Sequence, residues 1–185
     1  FQDLAPYGEQ LGRALAADED AQILAEADFT TEINTGAALT QADLLEAIAY
    51  LEGVNAPGPY FAVFHPASWA KLRAEFDDVG AFGLLGNTVI NGFGEGFTNM
   101  AGYVGSPYGI PSFISTQVGV DTATTPDERK NIVFSRDALA SAWIRDIGVD
   151  VDDNVVARAL DLMAWYSHDA EKLVDEFGVV LRDQV

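Results

Sequence analysis

Apolar residues recur at helical spacing over 4–27: Leu4, Leu11, Leu15, Ile23 and Leu24, with alanines between them. Asp18, Glu19, Asp20 and Glu26 mark the opposite, solvated side. The spacing predicts one helix of roughly 22 residues, about 33 Å long. Pro6 fits only a first turn, so the start falls near residues 3–5. A polar connection at 29–37 leads to a second helix near Thr40. Asp43 stands at its capping-box position, Leu44, Leu45, Ile48 and Leu51 form its stripe, and Gly53 ends it.

The pattern then changes period. "YFAVF" (60–64) has the length and content of a buried strand. His65 and Pro66 open a helix, proline taking the favoured first position, with Trp69, Leu72 and Phe76 toward the core. Residues 77–100 are rich in glycine but too apolar for a solvated linker, and read as a loop packed on itself or on a neighbour. "AGYVGSPYGIPSFIST" (101–116) reads as two short strands folded at Pro107–Gly109. Residues 116–131 read as a mobile surface loop, 132–135 as a strand, and "RDALASAWI" as a turn entering a short helix or strand. The stretch "VVARALDLMAWY" (155–166) carries two periods. Ala, Leu and Met favour helix, yet Val156, Arg158, Leu160, Leu162, Ala164 and Tyr166 alternate as one strand face. "FGVVL" (177–181) is a terminal strand.

The 185 residues suit one domain, or one domain with a lobe. No apolar run approaches the ~18 residues of a membrane span. The absence of cysteine excludes disulfides and thiolate chemistry. Charge alters the picture most. Eighteen Asp and 11 Glu face 7 Arg and 3 Lys, a net of −19. Such a chain offers no basic stripe to a phosphate backbone. Self-repulsion of this size is relieved by salt, so lysine scarcity with aspartate excess fits a salty habitat; an ordinary acidic protein is the plainer reading.

Candidate chemistry is sparse. His168 lies in "YSHDAEK" between Ser167 and Asp169, but adjacent strand residues point to opposite faces, so the tripeptide reads as a polar turn and not as a triad. His65 sits at a strand-to-helix junction. "GFGEGF" (92–97) lacks the following helix of a dinucleotide fingerprint. "DVDDN" (150–154) resembles part of a calcium loop without its glycine and final glutamate, leaving at most a loose cation site on Asp150, Asp152 and Asp153. No catalytic, cofactor-binding or metal residue is assigned.

The order of elements is more specific than any one motif. It resembles the major capsid proteins of tailed viruses (Caudoviricetes), the Hong Kong 97 or Johnson fold. The matching features are the long helix; the strand leading into "HPASWAKL"; the hairpin with Gly105, Gly109, Ile110, Pro111 and Ser115; the strand of 133–142; and the closing 177–181. The resemblance implies an α+β fold with a spine helix. It implies a peripheral domain of 1–37 and 135–166, and an axial domain of 38–134 and 167–185. It favours strand for 155–166.

It further implies a structural protein, not an enzyme, that self-assembles into an icosahedral shell around viral double-stranded DNA. Its partners would be its own copies in hexamers and pentamers, with cement or scaffolding proteins as accessories. It would enclose DNA without sequence-specific binding and use no cofactor or membrane. It would reside in the virion after assembly in the host cytoplasm. The family's N-terminal arm and extended loop have no counterpart here, so the chain is expected to be a fragment of a longer subunit. Asn154 lies in a stretch comparable to one that some members crosslink to that loop; no crosslink is expected. Two alternatives stay open: an encapsulin-like compartment shell, and a small α/β hydrolase using His168 or His65.

Overall fold

In a computed structural model the residues described are 5–36, 38–78, 102–154 and 159–185. The predicted first helix is α1, Ala5–Glu26. Strand β1 (Glu32–Asn34) precedes α2 (Gln41–Gly53), whose N-cap is the expected capping box. The Thr40 hydroxyl accepts from the Asp43 N–H, and the Asp43 carboxylate accepts from the Thr40 N–H at 2.8 Å. Strand β2 (Tyr60–Phe64) runs into α3 (Pro66–Asp78). The hairpin follows as β3 (Tyr103–Gly105) and β4 (Ser112–Ile114), folded through a short 3-10 turn at Pro107–Gly109. The glycine-rich 79–100, with its "GFGEGF", lies outside the described residues.

Strands β5 (Val120–Asp121), β6 (Glu128–Ser135) and β9 (Gly178–Gln184) complete a mixed sheet in the order β1-β9-β6-β2-β4-β3, with β5 on the end of β6. Alternation decides what each face meets. Ala62 and Phe64 of β2, Val133 of β6, and Val179 and Leu181 of β9 point to one side. Leu44, Ala47 and Leu51 of α2, with Trp69, Leu72 and Phe76 of α3, cover them. On the other side Ile132 and Val180 meet Ala27 and Phe29, just past the end of α1. Each fully buried Leu or Val contributes roughly 1.5–3 kcal/mol.

The hairpin glycines are explained by this packing. Gly102 takes φ +80°, and a Cβ there would stand 2.7 Å from the Ile114 carbonyl oxygen. No other residue lets β3 close so tightly over β4.

The expected mobile loop at 116–131 is corrected. Residues 128–131 belong to β6, and Arg129 and Asn131 are buried. They are buried because Asp183 is. Its Oδ1 accepts from Ser68 Oγ (2.6 Å) and Asn131 Nδ2 (2.8 Å), and its Oδ2 pairs with Arg129 (3.3 Å) and Lys71 (3.5 Å). A buried carboxylate is tolerable only with such company. On the opposite face of β9, Arg182 pairs with Glu32, Asp121 and Glu128, tying β1, β5 and β6 to one guanidinium.

Candidate assembly surface

Strands β6 and β9 are hydrogen-bonded neighbours up to Phe134 and Gly178. Between them the chain makes a long excursion. After a turn at 136–138 it forms β7 (Leu139–Asn154) and β8 (Ala159–Lys172), paired antiparallel from Leu139↔Lys172 to Asn154↔Ala159. This two-stranded ribbon is a separate sheet. At ~3.3 Å per residue its longer strand extends roughly 50 Å. The short helix-or-strand reading of "RDALASAWI" thus resolves as the start of a 16-residue strand. The conflict over 155–166 resolves as strand from Ala159; residues 155–158 lie outside the described ones. Cross-strand pairing, absent from any local propensity, decides it.

The base of the ribbon is fixed to the body. Lys172 Nζ donates to the Asp28 carbonyl (2.8 Å) and Asp175 Oδ1 (2.6 Å), and Asp175 accepts from the Thr30 N–H (3.1 Å). These bonds, Lys172 first, hold the Asp175 carboxyl below the usual carboxylate range. Further out, α1 covers one face. Tyr166 donates to Asp18 Oδ2 at 2.5 Å, which pushes the phenol up to about 12. Trp143 joins Tyr166 and His168 in a ring cluster, centroids 5.6 and 5.3 Å away.

Two register shifts bend β7 between Trp143 and Gly148. Gly148 is required there because the Trp165 indole lies directly over it, in the space a Cβ would fill. At and beyond the bend the ribbon is poorly covered. Ile144 is 71% exposed, Met163 66%, Trp165 41% and Trp143 43%. Val149 and Val151 are also exposed. Apolar side chains are open on both faces, because Val149 pairs with Ala164 on the α1 side while Met163 and Trp165 take the other. An isolated two-stranded sheet is marginal in water and leaves two unpaired edges. A surface of this kind marks an interface.

The residues singled out for chemistry are not brought together as a reactive site. His168 is not in a turn; it sits within β8, its ring toward α1, while Ser167 and Asp169 take the opposite face. His65 heads α3, where its Nδ1 accepts from the Ala67 N–H (3.2 Å). Burial, then the Arg129 charge, hold its pKa below the ordinary value against the pull of Asp183. Ser68 is fully buried and donates to Asp183, so serine, histidine and acid are neighbours without the bond order a nucleophile needs. "DVDDN" is part of β7, not a loop. Among the described residues no group of three or more His, Asp or Glu is placed to hold a metal ion. No helix among them is long and apolar enough to cross a membrane.

A long helix backs the ribbon, beside a mixed sheet with α2 and α3 on one face. Solved structures share this fold. The capsid of the cyanophage P-SCSP1u superposes with a TM-score of 0.64 at 19% identity, covering 99% of this chain and 66% of that one. A structure from Mycobacterium phage Che8 gives 0.63 at 21%, covering 97% and 63%. The holo-SrpI encapsulin complex of Synechococcus elongatus gives 0.62 at 15%, covering 94% and 62%. The chain spans about two thirds of the length of these structures. No family model and no curated protein matches it. The α+β fold of tailed-phage capsid proteins, Hong Kong 97-like, is therefore the fold of this chain.

Sequence reasoning missed two features. One is the Asp183 cluster, whose Arg129 and Asn131 lie in a stretch that reads as loop, far in sequence from Ser68 and Lys71 on the helix after His65. The other is the outer half of β7, the ribbon's partner strand, whose signal was present in "GVDVDD": valine and aspartate alternate there as on a strand with one apolar face.

Proposed function

We propose that this chain is a major capsid protein, the structural subunit of an icosahedral shell that encloses viral double-stranded DNA. The observation that carries the reading is the ribbon: two long strands with Ile144, Met163, Trp165, Val149 and Val151 open to solvent, on a fold shared with phage capsids. Copies of the same chain, in hexamers and pentamers, are the partners that would cover it. Cement or scaffolding proteins would act on the finished or nascent shell. The net charge of −19 suits a wall that holds DNA without adhering to it. The protein is a virion component assembled in the host cytoplasm, and it is not an enzyme: His65→Ala and His168→Ala alter folding or assembly at most.

Within the subunit we assign α1 and the ribbon to a peripheral domain, and the mixed sheet with α2 and α3 to an axial one. The boundaries expected from sequence move slightly in this assignment. Strand β1 pairs with β9 and goes with the axial part, and the ribbon continues to Lys172.

A second reading is favoured by the likeness to the SrpI encapsulin: a compartment shell with protein cargo. Electron microscopy of the purified assembly, with nuclease treatment followed by DNA extraction, separates the two. Closed particles with nuclease-protected DNA support the capsid. Closed particles holding protein and no DNA support the compartment. A monodisperse monomer at all concentrations contradicts both.

A further inference from the structure

The face of the ribbon turned away from α1 carries both signs of charge around one aromatic side chain. Directly paired residues of an antiparallel ribbon share a face. Three consecutive rows stand on this one: Arg145 with Ser167, Gly148 with Trp165, and Asp150 with Met163. Along β8 these rows follow at every second residue, about 7 Å apart. The guanidinium and the carboxylate, both on β7, therefore flank the indole from opposite sides. Arg145 and Asp150 are exposed. All three lysines of the chain hold carboxylates, yet Arg145 holds none among the described residues. Acids outnumber bases 29 to 10, so this cation is unpaired by its placement and not for want of partners. Asp150 is turned toward the middle row, its Oδ2 3.5 Å from the Trp165 Nε1. Trp165 lies over Gly148 and leaves its outer side to solvent.

We propose that this face is a two-fold contact between two copies of the chain, in which Arg145 of each copy pairs with Asp150 of the partner subunit on either side of two apposed Trp165 side chains. A two-fold axis lying in the contact plane, across the strands at the middle row, reverses the order of the rows and leaves β7 over β7. The first row then lies on the third. Both opposite-charge pairs form, Ser167 faces Met163, and the indoles meet at the axis. A two-fold contact requires a patch complementary to itself, and these three rows supply one. A purely basic partner would match Asp150 but would meet Arg145 with like charge. Trp, Met and Arg are the side chains enriched where interfaces are buried, and an incoming guanidinium also gains from the indole. Strand twist parts the rows beyond these three and keeps the contact small. The inference rests on the reading that copies of this chain cover the ribbon, and adds the face and the pair that do so.

The test reverses the charges and reads self-association of the 185-residue chain by sedimentation. Arg145→Asp and Asp150→Arg should each weaken association at least about tenfold, with the unfolding free energy unchanged. Mixing the two single variants should restore association, because each mixed contact then holds two opposite-charge pairs. The double variant Arg145→Asp with Asp150→Arg should associate on its own. Single variants that associate like the parent chain overturn the pairing and leave the shell reading standing. So does a mixture and a double variant that regain nothing. A parent chain that stays monomeric at all concentrations overturns the pairing and the shell reading together. If a reversed variant does not fold, the cycle of Arg145→Ala, Asp150→Ala and both decides: losses that simply add overturn the pairing.

Discussion

The mixed sheet and the ribbon are built from the same chain under opposite rules. In the sheet, both faces of β6 and β9 are occupied, and even the charged side chain of Asp183 is fully enclosed and paired. In the ribbon, one helix covers part of one face, and tryptophan, isoleucine and methionine remain open. Yet the ribbon is the direct continuation of two central strands of that sheet, past a break at 136–138 and 173–177. The difference teaches that burial here is divided between two levels. The sheet completes its core within the subunit. The ribbon is left to be completed by another surface, and its exposed apolar residues belong to that second level.

Substitutions on the two sides of this division should fail in different ways. Asp183→Ala leaves Arg129 buried without its carboxylate and removes acceptors from Ser68 and Asn131. It should cost about 3–5 kcal/mol, read as a lowered urea midpoint, and abolish assembly through loss of the fold. A double change on the ribbon, Val151→Thr with Met163→Gln, should do the reverse. The unfolding free energy from urea titration should change by no more than about 0.5 kcal/mol per site, while particle yield by light scattering falls to background. If that variant assembles normally, the ribbon is not the completing surface.

Smaller effects sharpen the same contrast. Thr40→Ala removes the capping box of α2, which packs on the mixed sheet, and should cost about 1 kcal/mol without changing the geometry of any particles formed. Salt should act between copies more than within one. The Debye length falls from ~10 Å at 0.1 M to ~3 Å at 1 M, so particle yield should rise across a KCl titration. Subunit melting temperature should rise by only about 2–4 °C. A flat or falling yield removes the halophilic reading and leaves the fold untouched.

The smallest effect is a titration. Tyr166 has its pKa raised to about 12, so its neutral form is favoured in the folded state. Its contribution to stability is complete below the unfolded phenol pKa and is lost as pH rises through about 12. An alkaline absorbance titration should show a late phenol ionisation that Tyr166→Phe removes.

Much of the mixed sheet and its helices was legible in the sequence because the signals are local. The capping pair Thr40 and Asp43, the proline after His65, and the glycines around Pro107 each act within a few residues. The order of these elements was enough to reach the fold. Burial of Arg129 and Asn131 was not legible, because it depends on Asp183, more than 50 residues away in the chain. Strand character at 159–166 was half legible. Helix propensity and strand alternation compete there, and only the pairing with β7 separates them. "DVDDN" misled for a related reason: carboxylates placed alternately on a strand give the composition of a cation loop without its geometry.

The central claim, that the ribbon is completed by copies of the same chain, is tested most directly by hydrogen–deuterium exchange of assembled particles against dissociated subunits. Peptides covering 139–154 and 159–172 should gain protection on assembly, while those covering 60–64, 128–135 and 178–184 should be protected equally in both states. Ribbon peptides that exchange as fast in the particle as in the free subunit would contradict the account.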